Sequence, residues 1–123
     1  MSRQQALWAP PRRDPLRDPA PGDSMERPLP DEQGTLAPHT VRVREVIRSP
    51  TGPKVRVAVL DRQFRETTET LTAWEWWDSL GFPVPDLVWQ EAGDGWTLFA
   101  EGRSAFVRTM GEAAAFLWSE PCT

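Results

Sequence analysis

The chain has no tyrosine and no asparagine, and only one histidine (His39), one cysteine (Cys122), one lysine (Lys54) and one isoleucine (Ile47). A single cysteine excludes a disulfide framework. With a single histidine it also excludes a Cys/His zinc cluster, and any Cys–His or Ser–His–Asp arrangement would depend on His39 alone. No apolar run approaches the roughly 20 residues that a membrane helix needs, and the first residues lack the apolar core of a secretory signal. These absences lead to the expectation of a soluble, cytoplasmic, non-enzymatic protein, with no catalytic residues, no metal ligands, no cofactor and no membrane partner. Thirteen arginines beside one lysine suggest GC-rich coding and a bacterial or phage source.

What is present is unevenly spread. Of 13 prolines, eight fall in the first 38 residues, among charges of both signs and without a hydrophobic period. Such a stretch buries too little apolar surface to offset its chain entropy, so residues 1–38 are expected to form a disordered, Pro-rich tail. Leu7 and Trp8 within it offer a short linear docking element, and Met25 offers an alternative start. Residues 39–123 then form one compact domain, since this length holds a single core.

From Val41 the period becomes two. Val41, Val43 and Ile47 alternate with Arg42, Arg44 and Arg48; Ser49–Pro53 interrupts; Val55, Val57 and Val59 alternate with Lys54, Arg56 and Ala58. This is a β-hairpin. Pairing Arg48 with Lys54 puts Glu45 and the odd-numbered valines on an inward face, and Arg42, Arg44, Val46, Arg48, Lys54 and Arg56 on the outward one. A Thr-rich stretch, Glu66–Thr70, extends this region. Thr72 with Glu75 is a capping box that opens a helix carrying Ala73, Trp76, Trp77 and Leu80, closed by Gly81 and Pro83. The order then recurs: Leu87–Glu91, a turn at Asp94-Gly95, Trp96–Ala100, a short strand in Arg103–Arg108, and a helix capped by Thr109 and Glu112. The expected fold class is α+β: an antiparallel sheet of two hairpins with two helices on one face, built as ββ(β)α pseudo-repeats at about 39–82 and 85–120.

Two features carry functional expectations. Residues 39–65 hold seven basic side chains against Glu45 and Asp61, while residues 66–123 hold Arg103 and Arg108 against ten acids. The first candidate site is therefore the basic hairpin face, Arg42, Arg44, Arg48, Lys54 and Arg56, a pattern that suits a phosphate backbone. Six of seven tryptophans follow residue 70, more than about 80 residues can readily bury with every indole N–H partnered. The second candidate site is an aromatic patch of Trp74, Val88 and Phe99, a composition that suits a protein interface. The leading expectation is a binding module for a protein partner or a second copy of itself; the runner-up is nucleic-acid binding through the arginines. Glu75 and Asp78, one helical turn apart, are the remaining candidates for acid–base or cation chemistry and rank below both. His39 is expected to be a linker residue.

Overall fold

The alternating valines form paired strands, as their period requires. In the computed structural model, which describes residues 13–118, they lie at the centre of a four-stranded antiparallel sheet. Its strands are β1 (Ser24–Pro30), β2 (Leu36–Ile47), β3 (Lys54–Leu60) and β4 (Glu66–Thr72), in that order across the sheet. Helix α1 (Ala73–Ser79) follows directly, opened by the capping box: Thr72 Oγ1 accepts from the Glu75 N–H at 3.1 Å, and Glu75 Oε1 accepts from the Thr72 N–H at 2.9 Å. A second, three-stranded antiparallel sheet holds β5 (Leu87–Ala92), β6 (Gly95–Ala100) and β7 (Arg103–Val107), and α2 (Met110–Trp118) ends the described chain.

The fold is α+β, with two sheets in place of the expected one and one helix after each. Tight turns at residues 93–94 and 101–102 fold β5–β7 into a meander that satisfies its ladder locally, so β5 pairs with β6 and not with the first sheet. The first of these turns is Gly93-Asp94 and not Asp94-Gly95. That moves the β5–β6 pairing by two residues, which keeps the facing of every side chain. Strand–strand–strand–helix recurs in the order of elements, but β1 makes the first sheet four-stranded, so the two units are unequal.

Residues 13–38 correct a larger expectation, because they are part of the fold. Met25, Arg27 and Leu29 alternate with exposed Ser24, Glu26, Pro28 and Pro30 in β1. An edge strand tolerates prolines two residues apart, because their missing N–H groups share one side. Upstream, residues 13–23 run as a strap across both helices. The buried indoles of Trp76 and Trp77 donate to the carbonyls of Leu16 at 2.8 Å and Arg17 at 3.0 Å. Asp18 lies so close to α2 that a Cβ on Gly111 would stand 2.7 Å from its Oδ2. The indole N–H groups that a domain starting at residue 39 would leave without acceptors are thus satisfied by the segment expected to be disordered. The Leu7–Trp8 element lies outside the described residues.

Asp23 pins the end of the strap. Its carboxylate meets Arg13 at 2.6 Å and accepts from the Ala20 N–H at 2.8 Å. The Arg13 guanidinium, and secondarily that N–H, hold its carboxyl below the ordinary range against the opposing effect of burial. A carboxyl whose value is lower folded than unfolded contributes stability that is present above the unfolded value, about 3.9, and lost as the pH falls through the folded one. The thermal midpoint is therefore expected to decline below about pH 4. In Asp23→Asn, melts recorded between neutral and acid pH should show a smaller decline.

One core joins all elements. It takes Val41, Val43, Val55 and Val57 from the first sheet, Trp76 and Trp77 from α1, Trp96 and Leu98 from the second sheet, and Met110, Ala113, Ala114 and Leu117 from α2. Trp77 is fully buried; it stacks on Trp89 with centroids 6.4 Å apart and meets Trp118 edge-on at 5.1 Å. The β2–β3 turn reaches the same indoles. Trp96 donates to the Ser49 carbonyl at 2.8 Å, and Gly52, with φ of 113°, lies so close to Trp89 that a Cβ there would stand 2.7 Å from the ring.

Candidate functional site

The basic ribbon does not present one plate of cations. The β2–β3 register shifts by one between Val43 and Glu45, a β-bulge, so Val43 opposes Val57 while Glu45 opposes Arg56 and Ile47 opposes Lys54. Past the bulge the facing of β2 reverses. Glu45, expected inward, stands outward and pairs with Arg56 at 2.7 Å. Arg48, expected outward opposite Lys54, turns toward the second sheet. Its guanidinium sits 4.6 Å over the Trp96 ring and donates to the carbonyls of Gly93 at 2.9 Å and Gly95 at 3.3 Å, with Glu91 at 3.2 Å. Its work is thereby structural, tying the two sheets together.

Arg42, Arg44, Lys54 and Arg56 remain on the outer face of the first sheet. Arg44 pairs with Glu66 on β4 at 2.7 Å, and Glu26 on β1 accepts from Thr40 there. Four cations thus share that face with three carboxylates. The strong local positive balance of the sequence is largely cancelled in space, because Glu45 returns to this face past the bulge and Glu26 of β1 and Glu66 of β4 border it on either side.

The second sheet places its apolar outward residues together. Its inward face is Trp96, Leu98 and Ala100, with Val107 opposite Trp96. The alternate positions face water. Val88 opposes Phe99 directly across β5–β6, and Phe106 lies diagonally across on β7, opposite Thr97. They are 62%, 41% and 49% exposed. At the β6–β7 turn end this face continues into a hollow of about 530 Å³ bordered by Asp86, Glu101 and Arg103. At the other end Arg108 lies over the Phe106 ring at 5.3 Å and pairs with Asp94 at 2.9 Å.

The structure brings Val88 and Phe99 together but not Trp74. That residue stands on α1, partly covered, with its indole N–H donating to the Pro85 carbonyl at 3.2 Å. Phe106 is the member the sequence reading missed. Its signal was available, since Val107 faces inward and strand alternation therefore turns Phe106 out. Glu75, a candidate for acid–base work, is used as the partner in the α1 capping box, and both it and Asp78 lie exposed on the helix. Among the described residues no group of three or more His, Cys, Asp or Glu side chains is placed to hold a metal ion, and no helix is long and apolar enough to cross a membrane. His39, expected in a linker, is inside β2 and 8% exposed; its Nδ1 donates to the Ala37 carbonyl at 2.7 Å.

Comparison with known proteins returns no match: no family model, no curated protein and no solved structure is similar to this chain.

Proposed function

We propose that the protein is a non-enzymatic binding module that docks a protein partner on the outer face of its second sheet. The observation that carries this reading is that Val88, Phe99 and Phe106, three large apolar side chains, all stand exposed on the outer face of one sheet. Exposed apolar residues scattered singly need no explanation, whereas several gathered on one sheet face and bordered by charge have the composition of an interface centre and rim. Asp86, Glu101, Arg103 and Arg108 supply that rim with both signs, which favours a folded protein surface over a polyanion. The first sheet supports the same choice, because Glu45 and Glu66 engage Arg56 and Arg44, and Arg48 is committed to Trp96. The single cysteine fits a reducing, cytoplasmic setting.

With the partner in hand, Phe99→Glu is expected to cost roughly 2 kcal/mol or more, at least about 30-fold in Kd. Arg42→Glu should change affinity by less than about threefold, and the affinity of the wild-type chain should vary little with salt. A steep loss of affinity with salt, together with the reverse ranking of the two variants, would instead mark the arginine face as a nucleic-acid interface.

A further inference from the structure

Two turns at the far end of the first sheet are built alike. The β1–β2 turn is Asp31-Glu32-Gln33-Gly34-Thr35 and the β3–β4 turn is Asp61-Arg62-Gln63-Phe64-Arg65. In each, Asp Oδ1 accepts from the N–H groups two and four residues on, all at 2.9 Å, and the Asp carbonyl accepts from the N–H three residues on. Each has its fourth residue in the left-handed region: Gly34 at φ 81° and Phe64 at φ 60°. Glycine adopts that conformation freely, while a residue with a Cβ is strained there. The chain itself thus supplies the comparison: the same turn uses glycine once, and once holds a phenylalanine at a conformational cost. Phe64 recovers nothing for that cost within its own fold, because it is 82% exposed.

Beside Phe64 lies a place for such a ring. The inner face of the first sheet runs on past α1 into a groove of about 700 Å³ between the two turns, floored by half-buried Leu29, Ala37 and Val59 above the buried His39. Arg65 clamps the walls by pairing with Asp61 at 2.8 Å and Glu32 at 2.9 Å. The Arg65 N–H and then its guanidinium keep the Asp61 carboxyl below its ordinary range. Of the rim charges outside these ion pairs, Asp31 is engaged by the N–H groups of its own turn, while the Arg62 and Glu69 side chains have no ion pair among the described residues and are opposite in sign.

We infer that this end of the first sheet is a self-association surface, in which Phe64 of one copy seats in the groove of a second copy and Arg62 meets the second copy's Glu69, reciprocally. A knob and a hollow side by side on one surface, with unpaired charges of both signs, are what a two-fold contact requires, since the same patch must serve both copies. The contact is small, so the association is weak and depends on concentration. This surface is distinct from the outer face of the second sheet, and either can fail without the other.

Sedimentation equilibrium over roughly 10 to 500 µM, spanning affinities expected of small interfaces, tests it on the full chain. The wild-type mass is expected to climb from one chain toward two. Phe64→Gly should stay at one chain and, compared in dilute solution where both are single chains, should melt a few degrees higher because the strain is relieved. Arg62→Glu should weaken association about tenfold, as expected for one lost and one repulsive charge contact, and adding Glu69→Arg should restore it. Phe99→Glu should associate as the wild type does. A wild-type chain that keeps its single mass throughout would overturn the proposal. So would a Phe64→Gly chain that pairs normally or melts lower, or an association abolished by Phe99→Glu and untouched by Phe64→Gly, which would assign it to the second sheet.

Discussion

A chain shortened to begin at Met25 is expected to lose most of its stability. The truncation removes the carbonyls of Leu16 and Arg17, leaving the indole N–H groups of Trp76 and Trp77 without their acceptors. A buried donor left unsatisfied costs about 1–3 kcal/mol, so the pair costs roughly 2–6 kcal/mol. Two backbone bonds that join the strap to β2 also disappear, Gly22 N–H to the Val43 carbonyl and Val43 N–H to the Asp23 carbonyl. Against a typical domain stability of about 5–15 kcal/mol, this places the shortened chain at or near its unfolding threshold. Urea titration followed by tryptophan emission checks it: the midpoint should fall steeply, and the emission of the shortened chain in buffer should already be shifted to the red. A midpoint equal to that of the full chain would show that water replaces the two carbonyls without cost and that the strap is an appendage.

Replacing Trp77 with alanine should be as damaging. Trp77 is fully buried between Trp89 of β5 and Trp118 of α2, so it touches the second sheet and the second helix from a position on α1. Truncating a buried tryptophan costs about 3–5 kcal/mol through lost burial and the cavity left behind. Trp77→Phe, which refills much of the space but cannot donate to Arg17, should fall between the two. Denaturation curves of the three chains are expected to rank wild type, phenylalanine, alanine. A phenylalanine variant as stable as the wild type would mean that the bond to Arg17 contributes little, and would weaken the account of the strap as well.

The sequence made the inner valines, the α1 capping box and the hairpins legible, because each of those signals is local. At α2 Thr109 accepts from the Glu112 N–H as expected, but the Glu112 carboxylate accepts from the Arg108 N–H and not from that of Thr109. Period two in Val41–Val43 and Val55–Val59 assigns faces directly, and Thr72 with Glu75 marks a helix start whatever the helix packs against. The bulge was hidden because Val46 and Ile47 are both apolar, so β2 offers an inward residue in either phase after Arg44. Its one trace was Glu45, an acid that simple alternation seats among valines. Once the phase slips, Glu45 reaches Arg56 and Arg48 reaches Trp96, and the basic plate is divided. The role of residues 13–38 was illegible for a different reason. Proline and charge there imitate disorder, while the ordering comes from long-range partners, the indoles of α1 about 60 residues away. The surplus of tryptophan over acceptors was the available hint that something outside residues 39–118 had to supply them. The adjacency of Val88 and Phe99 on an exposed face was legible, because alignment across strands decides it. The position of Trp74 was not legible, because a helix edge and the Pro85 carbonyl decide it.

The claim that a protein docks on the outer face of the second sheet, and that the arginines of the first sheet do not carry the binding, is tested most directly by light-activated crosslinking. A benzophenone side chain is placed at Phe99 in one chain and at Arg42 in another, each irradiated in cells that make the protein. Position 99 is expected to yield a discrete protein adduct that position 42 does not. An adduct formed only from position 42, above all one that contains nucleic acid, would contradict the account.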